Sequence, residues 1–154
     1  MTVREYEILK VAGTALEAPH VFIVDDDPDL RELLSHSLKS APFNATLIPA
    51  ATAAVRLLNE TEIDKRPVAI VLDLAMKSLD GLTCLKEIRT NEAVQHQPAI
   101  RAAVFTAYAD EIELERYKKE LNIERVFYKP SDVEVIGEKI ADWLGLGQTK
   151  GANQ

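Results

Sequence analysis

Cysteine is nearly absent: Cys84 stands alone among 154 residues. No internal disulfide can close, and a reducing compartment, the cytoplasm, is the expected setting. Long apolar runs are equally scarce, none approaching the ~20 residues that a membrane-spanning helix requires. Residues 1–10 alternate charged and apolar side chains where a signal peptide would be apolar. Basic clusters are missing too. With 18 basic and 25 acidic residues the net charge is −7, which repels phosphate backbones and anionic lipid heads. Nucleic acid and membranes are therefore not expected partners. Low-complexity tracts and fixed-period repeats are also lacking.

What remains is a globular composition, 47% hydrophobic and 28% charged. The length suits one domain and leaves no room for a second of ~100 residues, so no output domain is expected within the chain. Residues 1–18 form an unassigned N-terminal extension, 19–145 the folded domain, and 146–154 a polar C-terminal tail expected to fray.

Inside the domain, strand and helix patterns alternate. Residues 21–24 (VFIV) make a β-branched apolar run stopped by Asp25-Asp26-Asp27-Pro28. Asp27 can cap a helix with Pro28 at its first position, and Leu30, Leu33, Leu34 and Leu38 lie on one face. Residues 45–48, 68–72, 102–105 and 125–128 read as further strands. The third is the most apolar, as a central parallel strand requires. Helices are expected over 52–59, burying Val55, Leu57 and Leu58, over 81–90 with Leu82, Leu85 and Ile88 inward, and over 110–121. A last helix opens with a capping box, Ser131-Asp132-Val133-Glu134, and buries Val135, Ile136, Ile140 and Trp143 before Gly145 and Gly147 end it. Five βα units in succession predict an α/β fold, an open, doubly wound parallel sheet with helices on both faces.

Ligands of such sheets bind beyond the carboxyl ends of the strands. There the sequence places Asp25, Asp26 and Asp27 after the first strand, Asp73 after the third, Thr106 after the fourth and Lys129-Pro130 after the fifth. Neighbouring carboxylates raise one another's pKa, and a divalent cation removes the conflict. Oxygen ligands without nearby Cys or His suit Mg²⁺ or Mn²⁺ rather than Zn²⁺. An aspartate carboxylate beside that metal can act as a nucleophile towards phosphorus. The metal and Lys129 would neutralise the transferring phosphoryl oxygens, and the Thr106 hydroxyl would hydrogen-bond the product.

This set, in this order, resembles the receiver domain of two-component response regulators. The resemblance rests on VFIVDDDP at 21–28, VLDLAMKSLDG at 71–81, VFTAYAD at 104–110 and FYKP at 127–130. It implies a flavodoxin-like sheet of order 2-1-3-4-5 with five helices. It also implies that Asp73 accepts a phosphoryl group from a histidine kinase or histidine phosphotransfer protein. Asp26 and Asp73 would ligate Mg²⁺ with the carbonyl of Ala75, and Asp25 would act mainly through water. Thr106 would sense the phosphate and Lys129 bind it, with a cis Lys129–Pro130 bond. The chain would be a phosphoacceptor and not an enzyme with turnover, acting on a separate effector protein. Homodimerisation through the fourth-strand to fifth-helix face follows by family analogy only.

Several residues depart from the family pattern. Lys77 replaces the usual Pro, Val126 stands where an aromatic often switches rotamer, and 121–125 lacks the common Gly-Ala turn. Ala75 and Tyr108 flank the path of attacking water, one unable to orient it and the other bulky enough to exclude it, so slow self-dephosphorylation is expected. Cys84 is expected to be a partly buried small residue, His36 a helix-surface residue, and Trp143 a core or edge anchor. His20, His36 and His96 are too scattered for a metal site. Two other readings stay open: a pseudo-receiver that binds partners without phosphorylation, and an aspartate-nucleophile phosphohydrolase, for which Asp25 and Asp27 supply only the two-residue spacing.

Overall fold

The structure, a computed structural model, describes residues 18–76, 80–107 and 110–146. The expectations placed on the leader, on Lys77, on Tyr108 and on the tail from Gly147 onward lie outside those residues. Five strands, β1 (His20–Val24), β2 (Asn44–Ile48), β3 (Ala69–Leu72), β4 (Arg101–Thr106) and β5 (Ile123–Tyr128), form one parallel sheet ordered β2-β1-β3-β4-β5. Five helices connect or follow them: α1 (Pro28–Ser37), α2 (Ala51–Glu60), α3 (Gly81–Gln95), α4 (Glu111–Leu121) and α5 (Ile136–Leu144). This is the doubly wound α/β architecture expected from the βα rhythm. Among the described residues, no helix is long and apolar enough to cross a membrane.

Strand side chains alternate between faces, and this divides the core into two layers. Val21 and Ile23 of β1, Val71 of β3 and Phe105 of β4 pack with Leu30, Leu34 and Leu38 on the α1 side and with Ile136, Ile140 and Trp143 from α5. Phe22, Val24, Ile70, Leu72 and Val104 point the other way, against Val55 and Leu58 of α2, Leu85 and Ile88 of α3, and Leu114 and Leu121 of α4. Both layers are needed because parallel strands flanked by helices have no solvated face.

Local chemistry sets the element ends. The Asp27 carboxylate accepts from the Asp29 and Leu30 amides and caps α1, with Pro28 in the first turn, where its missing N–H is no loss. Asp80 caps α3 and Asp110 caps α4. Asn122 ends α4 with φ 57°, a left-handed conformation that Asn tolerates. Chain direction thereby reverses straight into β5 at Ile123, two residues earlier than the apolar pattern predicted, and no Gly-Ala turn is required.

Other expectations need correction. Leu33 is 56% exposed, because the core stripe of α1 is Leu30, Leu34 and Leu38, while Leu33 is rotated toward the segment after β5 and borders a groove there. Leu57 is only half-buried, and Val68 precedes β3 with 43% exposure. Helix α3 runs on to Gln95, past the expected end at 90, since Glu92 in its last turn is buried and accepts the Ile100 amide at 2.8 Å and Arg89 at 2.9 Å. The capping box before α5 does not form. Val133–Val135 is a 3₁₀ turn, Val133 is buried in place of Val135, and Asp132 makes no capping bond. Cys84 is wholly buried, more than expected, and burial pushes its thiol up to about 12, so it behaves as a small core residue. His36 is exposed and Trp143 anchors α5, both as expected.

Trp143 also ties α5 to the edge of the sheet. Its indole N–H donates to Glu124 Oε1 at 2.9 Å, the same oxygen that Arg101 Nη2 reaches at 2.8 Å, and the guanidinium lies 5.4 Å from the indole centroid. The Arg101 hydrogen bond holds the Glu124 carboxyl below its ordinary value of 4.5, against the opposing effect of burial and with help from Trp143. A depressed acid stabilises the fold above its unfolded pKa, and that stabilisation is lost as pH falls through the folded value. Glu124→Gln is therefore expected to lower the urea-unfolding free energy by ~0.5–1 kcal/mol at neutral pH, the range of a partly exposed ion pair. The difference from wild type should shrink as pH falls below about 4.5.

Candidate functional site

Four of the five parallel strands, β1, β3, β4 and β5, carry site residues just past, or at, their carboxyl ends. The β-ladder extends one residue beyond β1 and β3. The Asp25 amide donates to the Ile48 carbonyl at 3.0 Å and the Asp73 amide to the Val24 carbonyl at 3.0 Å. The main chain of both aspartates is thereby fixed by sheet hydrogen bonds. Thr106 is the last residue of β4, 1% exposed, and its carbonyl accepts the Lys129 amide at 2.9 Å. The Lys129–Pro130 peptide is cis, as the resemblance implied.

The structure brings Asp25, Asp26, Asp73 and Lys129 together. One carboxylate oxygen from each aspartate lies within 4.8 Å of the other two. Lys129 Nζ stands between two of them, 2.6 Å from Asp25 Oδ2 and 3.2 Å from Asp73 Oδ2, and lies over the Phe105 ring, 5.3 Å from its centroid. The remaining oxygens are held by backbone: Asp25 Oδ1 accepts the Asp27 amide at 2.9 Å and Asp73 Oδ1 accepts the Ala75 amide at 3.1 Å. Asp25 and Asp73 are buried, Asp26 is half-buried, and Asp27 is exposed at the helix cap.

Electrostatically the site is unbalanced. Burial is the largest influence on Asp25 and pushes its pKa up; the Lys129 and Asp27 hydrogen bonds pull it down, and the charge of Asp73 pushes it up again. One ammonium does not neutralise three carboxylates. A donor set made only of oxygens, with two buried acids held on sheet hydrogen bonds, is what a small hard divalent cation takes. Asp25, Asp26 and Asp73 fit such an ion.

Some supporting residues escaped the sequence. Arg31 Nη1 donates to the Asp25 carbonyl at 2.9 Å, so α1 buttresses the acidic turn from behind. Nothing in the spacing of Arg31 announces that bond, which depends on how α1 crosses the sheet. Gly81 had a signal only as part of a motif. A Cβ there would stand 2.2 Å from the Asp73 carbonyl oxygen, so α3 can begin against the Asp73 turn only if residue 81 has no side chain. On β5, Val126 packs against the layer under α2 to α4, Phe127 turns into the opposite layer with its ring 6.1 Å from Trp143, and Tyr128 is 44% exposed. One of the two aromatics is thus core and the other surface, as the alternation of a strand requires, and Val126 gives β5 no aromatic at that position.

Comparison with known proteins agrees with this geometry. The family model of the response regulator receiver domain matches residues 21–141. An uncharacterized 14.6 kDa protein of Leptolyngbya boryana is 37% identical over 91 residues, 59% of this chain and 64% of that protein. Sporulation initiation phosphotransferase F of Bacillus subtilis is 25% identical over 126 residues, 82% of this chain and 94% of that one. The receiver domain of the histidine kinase CKI1 from Arabidopsis thaliana, solved with Mg²⁺ and BeF₃⁻, superposes with a TM-score of 0.68 at 18% identity, covering 82% of this chain and 90% of that one. The chain spans less than two thirds of the length of several of its curated relatives, 31% in the case of PrrA from Mycobacterium leprae. With strand order, acidic cluster, Thr106, Lys129 and family match in agreement, the chain belongs to the response regulator receiver domain family.

Proposed function

We propose that this receiver domain accepts a phosphoryl group on Asp73 from a histidine kinase or histidine phosphotransfer protein, and that the modified domain changes which partner protein it binds. The observation that carries the reading is the Lys129 ammonium shared between Asp25 and Asp73, at 2.6 and 3.2 Å. It sits where a phosphoryl oxygen on Asp73 would need a positive charge.

In the transfer, an Asp73 carboxylate oxygen attacks phosphorus in line. The new O–P bond forms as the bond from phosphorus to the donor imidazole nitrogen breaks, and the electron pair leaves on that nitrogen. Asp25, Asp26 and Asp73, with the Ala75 carbonyl, would hold Mg²⁺ or Mn²⁺, which supplies charge neutralisation for the phosphoryl oxygens. Lys129 then exchanges its carboxylate partner on Asp73 for a phosphoryl oxygen. The Thr106 hydroxyl, at the end of β4, donates to another. Only the receiving carboxylate is consumed, so the domain acts as a phosphoacceptor without turnover, in the cytoplasm. Ala75 is exposed two residues after Asp73, where the resemblance puts it beside the path of hydrolytic water, and a methyl cannot orient that water, which supports slow self-dephosphorylation.

Incubation with Mg²⁺ and a small-molecule phosphodonor, followed by intact mass measurement, tests the assignment. Wild type should gain one phosphoryl group, Asp73→Asn none, and Lys129→Ala should gain it ~100-fold more slowly, the scale for losing one preorganised charge-stabilising donor. No added mass on wild type would favour a partner-binding module that is never phosphorylated. Continuous hydrolysis of a generic phosphate ester would favour a phosphohydrolase.

Once the donor is removed, phosphorylated protein should persist well beyond a minute, a hydrolysis rate limited by poor orientation of water. Decay within about a minute would contradict the role given to Ala75.

A further inference from the structure

Asp132 is an acid in an unexpected place. It lies inside the expected capping box and directly before the 3₁₀ turn, yet its side chain makes no cap bond, and α5 begins four residues later. It turns back instead. Asp132 Oδ2 accepts the Tyr128 amide at 2.8 Å, while the Asp132 amide donates to the Tyr128 carbonyl at 2.8 Å. These two bonds close a ring around Lys129, Pro130 and Ser131. The Val133 amide adds a bond to the Pro130 carbonyl at 3.1 Å. Asp132 is 9% exposed, and Lys139 from α5 stands 3.3 Å from Oδ1, so the charge of the buried carboxylate is met locally.

Lys129 is therefore reached by a backbone tied at two successive amides. Its own amide is tied to Thr106 at 2.9 Å, and the residue before it is tied to Asp132. The consequence lies in the side chain. A lysine is a point charge on four rotatable methylenes, and its ammonium reaches Asp25 and Asp73 only from a fixed root. Without the Asp132 carboxylate, the Tyr128 amide at the end of the strand loses its acceptor, and the turn is closed only by the main-chain bond from the Asp132 amide to the Tyr128 carbonyl.

We propose that Asp132 is a positioning residue for Lys129: by accepting the Tyr128 amide on its carboxylate, it stiffens the turn that sets where the Lys129 ammonium meets a phosphoryl group on Asp73. The proposal rests on the phosphoacceptor reading above. It separates Asp132 from the metal-binding acids, because Asp132 acts on the cation that receives the phosphoryl oxygens and not on the carboxylates that hold Mg²⁺.

The test compares phosphorylation rates with Mg²⁺ affinity, using a small-molecule phosphodonor and intact mass for the first and Mg²⁺ titration calorimetry for the second. Asp132→Ala is expected to slow phosphorylation about tenfold, the scale for a catalytic group displaced by a fraction of an ångström to an ångström. Mg²⁺ affinity should stay within about twofold, as expected for uncoupled sites. Asp132→Asn keeps an oxygen for the Tyr128 amide and should restore most of the rate, which also guards against a variant that merely fails to fold. In a Lys129→Ala background, Asp132→Ala should add no further slowing. An unchanged rate in Asp132→Ala, an equal fall in Mg²⁺ affinity, or full additivity with Lys129→Ala would overturn the positioning role while leaving the phosphoacceptor reading intact. A wild type that takes up no phosphoryl group would overturn both.

Discussion

The rest of the structure is organised around a single conflict, three carboxylates facing one ammonium at the edge of a buried sheet. At separations within 4.8 Å, each pair of unit charges repels by about 3–4 kcal/mol at an effective dielectric constant near 20. That is a large fraction of the ~5–15 kcal/mol by which a domain is stable. Lys129, at 2.6 Å from Asp25 and 3.2 Å from Asp73, offsets part of it. Burial pushes the Asp25 pKa up despite Lys129, and the charge of Asp73 adds a smaller push in the same direction. The site thus keeps an excess of negative charge, which the proposed divalent cation would relieve, and an ammonium that the proposed phosphoryl group on Asp73 would engage.

Holding such a conflict demands a stiff frame, and the sheet supplies it. Asp25 and Asp73 are placed by main-chain bonds that continue the ladder, and Thr106 and Lys129 by the pairing of β4 with β5. Apolar layers on both faces give these strands no freedom to slide, because a shift of one residue would exchange the two core surfaces. Gly81 lets α3 start against Asp73, and Arg31 braces the Asp25 carbonyl from α1. The family's chemistry is therefore carried by strand ends, while helices and turns set how firmly each end is held.

Much of this was legible in the sequence because the signals were strong and local. VFIV before three aspartates, the apolar run ending at Asp73, and Thr106 and Lys129 at later strand ends placed the site residues at one edge without coordinates. What the sequence hid depended on tertiary packing. Leu33 shares the spacing of core leucines but faces the groove beside residues 130–134, a choice made by where α1 lies on the sheet. Ser131 and Glu134 carry the spacing of a capping box, yet Asp132 between them bonds backward to Tyr128, because the turn after Pro130 brings it over the strand end. The α3 extension to Gln95 followed from buried Glu92, whose partners at Arg89 and Ile100 no local pattern reveals.

The central claim is that the acidic cluster is a divalent-cation site under electrostatic tension, and thermal unfolding with and without Mg²⁺ measures it most directly. A ligand that binds only the folded state raises Tm with concentration. The account predicts a rising Tm for wild type as Mg²⁺ is added, and for Asp25→Asn a higher metal-free Tm with a much smaller Mg²⁺ response, since the raised pKa of Asp25 marks its charged form as destabilising. A wild-type Tm indifferent to Mg²⁺, or a Mg²⁺ response undiminished in Asp25→Asn, would contradict it.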